Sequence, residues 1–294
     1  MKFLCTIPSV ESFGQIKDLC DGVVITNDNF SSRFETSLSN EEILQIVKKC
    51  NTHKMEAYIL VDLIVFDKDI KMVYDFIDSF KETNLMYIFS DLAIYQILKE
   101  FNITKKGVYN PSTLIANYVD CSFWAPFKIK GLFPTLEIPL NDINTIGKNK
   151  RLKIYYKGFG MNVMFHSKRH LLSTYKKHKN ILYDFVGSND LSLVEETRSE
   201  SYKIIENKHG THIYQPGIHN ILPALDIAID ELDYLFLDGT FLDWDKYLQA
   251  VLIYKEAILD MDRLNYYNDK LEKLFDNLTY HFLLEDSVFK KGDF

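Results

Sequence analysis

Short apolar and aromatic runs recur along this chain, and longer segments of mixed polarity separate them. Each run is three to seven residues long, which is typical of strands rather than of helices. The pattern predicts eight strands, at residues 2–7, 22–26, 56–61, 85–90, 107–109, 131–137, 152–157 and 234–238.

The segments between the runs repeat apolar residues at helical spacing. They predict helices at residues 9–19, 40–50, 68–80, 92–101, 111–118, 140–146 and 220–229, with a last one at 244–260. Ser39, followed by Glu41 and Glu42, provides a capping residue and first-turn acids for the second helix. Pro111 suits the first turn of a helix, where no backbone N–H is needed.

Eight βα units in 294 residues predict an α/β protein with a closed (β/α)8 TIM-like barrel, formed as a single domain over residues 1–294. Strands covered on both faces need not alternate polar with apolar residues, which fits these runs. An open doubly wound sheet is the alternative. The chain has no GxGxxG or GxxxxGK[ST] loop after an early strand, which disfavours that alternative.

About 60 residues interrupt the alternation after the seventh strand. They contain strand-like runs at 192–198, 202–206 and 211–215, and residues 207–210, with a glycine at the end, predict a tight hairpin. Loops that follow barrel strands lie at the face where active sites form. We therefore expect a small β-rich insertion, residues 160–216, over the barrel mouth.

The composition limits the classes of partner that the protein can bind. With 47% hydrophobic residues the chain can form a large core. Its net charge of -7 argues against a broad phosphate-binding surface and leaves nucleic acid only as a focused contact. No apolar run approaches the roughly 18 residues that span a bilayer. The amino-terminal apolar stretch is interrupted by Pro8 and Glu11, unlike a secretion signal. These features predict a cytoplasmic protein with no membrane partner.

The four cysteines, Cys5, Cys20, Cys50 and Cys121, are widely separated and form no CxxC pair. The spacing indicates neither a disulfide framework nor a zinc or iron–sulfur site. Reduced cysteine packs as a small hydrophobic residue, so we expect buried free thiols.

The most distinctive residues lie in the second half of the chain. They are Gly158, Ser167, Arg169, Leu171, Leu172, Tyr175, Glu196, Arg198, Tyr202, Glu206, Gly210, Thr211, Leu237, Asp238, Gly239 and Tyr254. This pattern resembles the collagenase-like peptidases, the thirty-second peptidase family of unassigned mechanism. The resemblance implies a barrel-like fold. It also implies one of two activities, because some members degrade collagen while others support hydroxylation of transfer RNA, ribosomal RNA or ubiquinone precursors.

The second group of that family carries a cysteine-bound iron–sulfur cluster, and prephenate is implicated in its reactions. Its cysteines lie around the position after the Ser-x-Arg and downstream of it. Here His170 follows Arg169, and no cysteine occurs after Cys121. Thiolates are the ligands such clusters need, so no cluster is expected in this chain.

The candidate site residues fall into two roles. Glu137, at the end of the sixth strand, is the candidate catalytic general base at the barrel mouth. Arg169 is the candidate clamp for a carboxylate or phosphate, with Lys157 or Arg33 sharing the anion; a structural tie to Glu196 or Glu206 is the alternative. The full set of candidate ligand-binding residues is Arg33, Lys157, Ser167, Lys168, Arg169, Glu196, Arg198 and Glu206.

No metal site is predicted. His166 and His170 have the spacing of an HExxH motif, but Ser167 stands where the glutamate is required. Asp62, Asp91 and Asp238 each end a predicted strand and could join Glu137 around a divalent metal. They could equally cap the helices that follow.

Two functions remain. One is a hydrolase of the collagenase-like type that acts on a peptide with Glu137 at the mouth. The other is an accessory protein that binds a small anionic metabolite or supports RNA modification without an iron–sulfur cluster. The oligomeric state stays open.

Overall fold

The computed structural model describes residues 1–183, 185–197, 200–228, 230–280 and 282–284. Its strands are β1 Lys2–Thr6, β2 Gly22–Ile25, β3 Glu56–Val61, β4 Leu85–Phe89, β5 Gly107–Tyr109, β6 Gly131–Leu132, β7 Lys153–Gly160, β8 Val163–Ser167, β9 Ser192–Val194, β10 Ser201–Asn207, β11 Gly210–Tyr214, β12 Ile218–Asn220, β13 Tyr234–Leu237 and β14 Leu278–Thr279. The first seven and β13 are the eight predicted strands. They pair in parallel in the order β13-β1-β2-β3-β4-β5-β6-β7, and β13 also pairs with β7. The predicted closed barrel is confirmed.

The helices lie between the strands, as a (β/α)8 chain requires. They are α1 Phe13–Ile16, α2 Asn40–His53, α3 Ile70–Phe80, α4 Leu92–Glu100, α5 Tyr118–Phe123, α6 Leu140–Lys148, α7 Leu171–Lys179, α8 Leu225–Ala228, α9 Trp244–Leu259 and α10 Leu264–Glu272. The predicted cap of α2 forms a reciprocal capping box. Glu42 N donates to Ser39 Oγ at 3.3 Å, and Ser39 N donates to Glu42 Oε2 at 2.8 Å.

Each barrel strand is buried on both faces, because successive side chains point alternately inward and outward. Leu4 of β1, for example, packs inside the barrel with Tyr58, Tyr155 and Phe236. Its neighbour Cys5 packs outward in the larger core between strands and helices. Two covered faces explain why the strands appear in the sequence as unbroken apolar runs.

The interruption after β7 is an antiparallel sheet of β8, β11, β10 and β9, in that order. Gly160 makes the turn out of the barrel with φ +121°, and a Cβ there would lie 2.3 Å from the carbonyl oxygen of Asp238. Only glycine fits this position. The hairpin predicted at 207–210 joins β10 to β11, with Asn207 paired to Gly210. The β-rich insertion is therefore present after the seventh strand.

Three predicted helices differ from the structure. The helix predicted at 9–19 is only the single turn α1, with bends and turns on either side. The segment at 111–117 is irregular, and α5 begins only after Asn117, whose side chain accepts hydrogen bonds from Val119 N and Asp120 N, both at 3.0 Å. The predicted helix at 220–229 is a 3₁₀ turn at Leu222–Ala224 followed by the single-turn α8, and Ile229 lies outside the described residues. Asn117 gives the stronger cap, because its carboxamide satisfies two N–H groups while Pro111 satisfies none.

Among the described residues, none of the helices has both the length and the apolar composition needed to cross a bilayer.

Candidate functional site

A cavity lies where the carboxyl ends of the barrel strands meet the insertion. Its lining includes Thr6, Thr26, Arg33, Phe133, Glu137, Lys157 and Asp238 from the barrel side, and Asn162, Val163, Tyr214 and Gln215 from the insertion and its junctions. A second cleft, lined by Asp62, Ser90, Met164 and His166 among others, shares Arg33, Ser112, Thr113 and Val163 with the cavity. Strand ends at one face of the barrel thus form one continuous mouth, with β8 as part of its wall.

Arg33 is held in this mouth by Asp62. Arg33 follows β2 and Asp62 follows β3, so neighbouring parallel strands bring them together. Arg33 Nε donates to Asp62 Oδ2, and Ser32 N donates to Asp62 Oδ1 at 2.6 Å. Burial alone would raise the pKa of Asp62, but the charge of Arg33 and the Ser32 hydrogen bond keep that pKa below its ordinary value. The pair is ionised and fixed in orientation.

The guanidinium of Arg33 keeps hydrogen-bonding capacity toward the cavity. Among the described residues its Nε is the only nitrogen with a hydrogen-bond partner, and 22% of the side chain stays exposed. A guanidinium has five N–H donors in a planar fork. The terminal donors of Arg33 are therefore available to a ligand.

Lys157 is the second cation of the mouth. It lies near the end of β7, and its Nζ donates to Asp238 Oδ2 at 2.8 Å and to the carbonyl of Met161. Burial lowers the pKa of Lys157, Asp238 opposes that shift, and the nearby charge of Arg33 lowers it further. Asp238 also accepts from Thr240 Oγ1 at 2.7 Å. The two cations therefore lie close enough in the mouth for their charges to repel. Each forms an ion pair with its own aspartate, Arg33 with Asp62 and Lys157 with Asp238.

Two buried polar side chains in the cavity have no hydrogen-bond partner among the described residues. They are Asn162, at both atoms of its carboxamide, and Tyr214, at its hydroxyl. Both line the cavity, and burial raises the pKa of Tyr214. A buried polar group without a partner costs about 1 to 3 kcal/mol. A polar ligand or water would offset that cost, which makes these two groups part of the candidate site.

Sequence analysis missed Asn162 and Tyr214. The pairing of β11 with β8 shifts register between Ile213 and Tyr214, so strand alternation alone does not predict where the Tyr214 side chain lies. The position of Asn162 depends on the turn at Gly160, which the apolar pattern does not show.

Glu137 lines the same cavity as Lys157, as the βα alternation led us to expect. It lies five residues beyond β6, is exposed, and donates through its backbone N–H to Thr135 Oγ1 at 3.3 Å. Its carboxylate is at the rim, and the buried acids of the mouth are Asp62 and Asp238.

The other predicted site residues within the described ranges lie on the insertion and do not line the cavity. Ser167 ends β8 and its Oγ accepts from Arg169 N at 3.2 Å. Lys168 Nζ lies 4.9 Å from the ring centroid of Phe66. Arg169 and Glu196 are exposed. Arg198 lies outside the described residues.

Glu206 is buried beneath α7. It accepts hydrogen bonds from Leu172 N at 2.8 Å, from Ser173 N at 3.2 Å and from Thr211 Oγ1 at 3.1 Å. The Ser173 hydroxyl also donates to it. Glu206 therefore caps the amino end of α7, where its negative charge is favoured by the helix dipole.

Two histidines pack face to face on the insertion, and one of them, His166, also lines the second cleft. His166 and His212 are directly opposite each other on β8 and β11, with ring centroids 4.3 Å apart and ring planes 14° from parallel. Burial, and secondarily the positive form of His166, lowers the pKa of His212 to about 3. His166 lies on β8 and His170 in the turn before α7, so the pair with HExxH-like spacing does not share one face of a helix.

The acids at the strand ends have separate partners. Asp91 caps α4 by accepting from Ala93 N at 2.9 Å and also accepts from Val65 N at 3.0 Å. Asp62 and Asp238 hold Arg33 and Lys157. No group of three or more His, Cys, Asp or Glu residues suited to a metal ion occurs within the described ranges.

The cysteines do not suit an iron–sulfur cluster at the mouth. Cys5, Cys50 and Cys121 are buried, and none of the four lines the cavity or the adjoining cleft. Burial raises the pKa of Cys50 and that of Cys121, each to about 12. A cluster needs thiolates, which this environment disfavours.

Comparison with known proteins gives three relevant likenesses. A model of peptidase family U32 matches residues 13–290. The tRNA hydroxylation protein P2 of Bacillus subtilis (strain 168) is 23% identical over 261 residues, which is 87% of this chain and 84% of that protein. The solved structure of a U32 peptidase superposes with a TM-score of 0.52 at 11% identity, covering 82% of this chain and 93% of the other. This last likeness concerns the fold alone.

Proposed function

Because this chain belongs to peptidase family U32, we propose that it is an accessory barrel that supports tRNA hydroxylation and binds a small anionic metabolite at its mouth. The observation that carries the proposal is that two partly buried cations lie beside two buried polar side chains without hydrogen-bond partners in the described ranges. Arg33 and Lys157 converge there beside the unpartnered side chains of Asn162 and Tyr214.

A carboxylate or phosphate suits this arrangement for a physical reason. The planar fork of Arg33 can donate two parallel hydrogen bonds to such a group, and its orientation is already fixed by Asp62. Fixed donors lose little conformational entropy on binding. The acids Asp62 and Asp238 balance the two cations, so we expect recognition through oriented donors rather than through a large positive field.

The tRNA part of the proposal is supported by the relative from Bacillus subtilis, which is named for tRNA hydroxylation and covers most of this chain. Its 23% identity leaves the activity of this chain to be tested. We propose that the chain acts without an iron–sulfur cluster, since three of its four cysteines are buried and none of the four lines the cavity or the adjoining cleft. Iron and acid-labile sulfide near one cluster per chain, in protein purified without oxygen, would contradict this.

A peptide hydrolase is the second candidate, and one observation favours it. Glu137 lines the same cavity, and its exposed carboxylate has no hydrogen-bond partner within the described part of the chain. Such a carboxylate could activate a water as a general base. Under this candidate, Glu137→Gln abolishes peptide cleavage by the purified protein and leaves metabolite binding intact.

The metabolite proposal is tested by thermal shift and calorimetry with a panel of small carboxylates and phosphates. Arg33→Lys keeps a positive partner for Asp62 but removes the fork, and Lys157→Met removes the second cation. A hydrogen bond to a charged group contributes about 1.5 to 3 kcal/mol, so each change should weaken binding roughly 10- to 150-fold.

Arg169→Gln is the matched control, because the structure places Arg169 on the exposed surface of the insertion. It should leave the affinity for the same ligand unchanged. The proposal fails if no panel member shifts the melting temperature of the wild-type protein, or if Arg169→Gln weakens binding as much as Arg33→Lys does.

A further inference from the structure

The insertion begins with a segment of one charge sign. Residues 158–183 contain five Lys or Arg residues, three His residues and no Asp or Glu, although the whole chain has a net charge of -7. The five cations are Lys168, Arg169, Lys176, Lys177 and Lys179. They lie on α7 and on the turn just before it. A local positive surface on an acidic protein attracts a polyanion to one place.

One face of α7 is partly buried and the opposite face is exposed to solvent. Leu172 and Ser173 are partly buried against the sheet, where the Glu206 carboxylate accepts hydrogen bonds from their backbone N–H groups. The opposite face is exposed. It presents Leu171, Thr174, Tyr175, Lys177, His178 and Lys179.

Tyr175 is the centre of the exposed face. Its ring is 52% exposed, and Lys179 lies one turn further along the same face of the helix. An exposed aromatic ring between cations is the combination on which single-stranded nucleic acid binds, because bases stack on the ring while phosphates pair with the cations. Glu206 already accepts hydrogen bonds from the N–H groups at the amino end of α7, so a ligand would bind along the side of the helix rather than at that end.

We propose that α7 and the turn at Lys168 to His170 form an RNA-binding surface, referred to below as the α7 surface. This inference rests on the proposed role in tRNA hydroxylation and adds the place where the RNA is held. Charge complementarity favours RNA as the occupant. The α7 surface is basic and aromatic although the chain as a whole is acidic, so it suits a polyanion whose bases can stack.

The α7 surface is next to the mouth. β8 carries Val163 in the cavity wall and ends at Ser167, and the turn to α7 follows directly. Five strand residues span roughly 15 Å. The α7 surface therefore begins about one short strand away from Val163 in the cavity wall, and RNA bound there can extend a nucleotide toward the metabolite.

The test measures binding of an unmodified tRNA transcript by fluorescence anisotropy over a range of salt concentrations. The variant Arg169→Gln/Lys177→Gln/Lys179→Gln removes three cations of the α7 surface. Each lost phosphate contact should reduce the slope of log K against log salt by about 0.7 to 0.9, which is about a 5- to 8-fold loss at 0.1 M salt. The triple variant should therefore bind on the order of 100-fold more weakly. Tyr175→Ser should also weaken binding while leaving the salt slope unchanged.

The matched control is Lys48→Gln/Lys99→Gln/Lys105→Gln. These three lysines are exposed, lie on or near α2 and α4, and give the same change in net charge. Circular dichroism checks that both triple variants are folded. Loss of binding in the α7 variant, with near wild-type binding in the control, supports the α7 surface.

Three other outcomes would overturn the inference. Equal losses in the two triple variants would place the RNA elsewhere. Binding of vesicles containing phosphatidylserine, lost in the α7 variant while tRNA binding persists, would make the surface a membrane contact. If the wild-type protein binds its metabolite but no tRNA, the proposed RNA-binding surface is wrong and the proposed metabolite site is unaffected.

Discussion

Glu206 shows how a single carboxylate can organise a surface from beneath it. Its donors are two backbone N–H groups and a hydroxyl of α7, together with Thr211 Oγ1 from β11. Sequence analysis assigned Glu206 to ligand binding, since an acid inside an apolar strand is unusual. Three of these four donors belong to a helix that the apolar pattern does not predict, so the sequence could not reveal the capping role.

Replacing Glu206 by Gln should loosen α7. The amide would direct an NH₂ group toward donors that now meet a carboxylate oxygen, and loss of such a charge-assisted contact costs about 1 to 3 kcal/mol. Hydrogen exchange of the peptide spanning Leu171–Lys179 should speed up in Glu206→Gln. Glu196→Gln, at an exposed position on the same insertion, is the control and should change stability by less than about 0.5 kcal/mol. Similar exchange rates in the two variants would argue against the cap.

The mouth illustrates what residue patterns reveal about a site. Arg33, Glu137 and Lys157 were placed at the mouth from their positions after predicted strands, because parallel strands in a barrel all end at one face. Arg169 is grouped with them in the sequence analysis because it lies in the insertion expected over the barrel mouth. The strand β8 separates the two and carries Arg169 away from the cavity.

At the level of elements, burial on both faces made the barrel strands predictable. The helices that surround the barrel follow from their apolar stripes, as in α2 and α3. α7 was missed because most of its nine residues are polar and it is held by Glu206 and the sheet rather than by an apolar face. The hairpin between β10 and β11 was predicted from Gly210, whose φ of +121° few other residues adopt.

The pairing of β8 with β11 should depend on pH through its stacked histidines. Burial keeps the pKa of His166 below its ordinary value and lowers that of His212 to about 3. An unfolded histidine takes up a proton near pH 6.5, while the folded His212 stays neutral. Its contribution to stability is therefore present above pH 6.5 and is lost as the pH falls toward 3, by about 1.4 kcal/mol per pH unit.

His212→Phe should flatten this dependence. Neither ring nitrogen of His212 has a hydrogen-bond partner among the described residues, and a phenyl ring can stack on His166 in its place. Urea unfolding between pH 7 and pH 4.5 should show the smaller slope in the variant. His178→Phe, on the exposed face of α7, is the control and should keep the wild-type slope. An unchanged slope in His212→Phe would mean that the pair opens or protonates in the folded protein.

At the scale of the whole molecule, the two ends of the barrel have different roles. At the amino end of the strands, Glu56 accepts from Lys2 Nζ and Lys130 Nζ, each at 3.0 Å, and from the hydroxyls of Tyr58 and Tyr234. These groups come from β1, β3, β13 and the residue before β6. The cluster therefore links several barrel strands at their amino ends. The open donors and the cavity are at the other end.

The closed barrel could be predicted because eight alternating units leave few other folds for a chain of this length. The cluster at Glu56 could not, because it depends on which strands face each other across the barrel. The same limit applies to Lys157 and Asp238, which are 81 residues apart and meet only because β13 closes the barrel against β7.

The difference between the two ends of the barrel predicts different effects for two similar substitutions. Glu56→Gln should change stability, and Asp238→Asn should change ligand binding. Burial alone would raise the pKa of Glu56, but its hydrogen bonds from Tyr58 and Lys130 keep that pKa below the ordinary 4.5. Its contribution to stability is therefore present above pH 4.5 and is lost as the pH falls further. Glu56→Gln should lower the free energy of unfolding at pH 7 by about 1 to 3 kcal/mol, with a smaller further loss in acid than the wild type shows.

Asp238→Asn should instead change binding at the mouth. Asp238 now competes with a ligand for Lys157, so removing its charge should make the affinity for a carboxylate rise, by about 10-fold if the gain is 1.4 kcal/mol. Glu56→Gln should leave that affinity unchanged, because Glu56 lies at the opposite end of the strands. Calorimetric titration of both variants with the ligand found for the wild type checks the pair. A weaker affinity in Asp238→Asn would show that the aspartate itself contacts the ligand, and a changed affinity in Glu56→Gln would show that the two ends of the barrel are coupled.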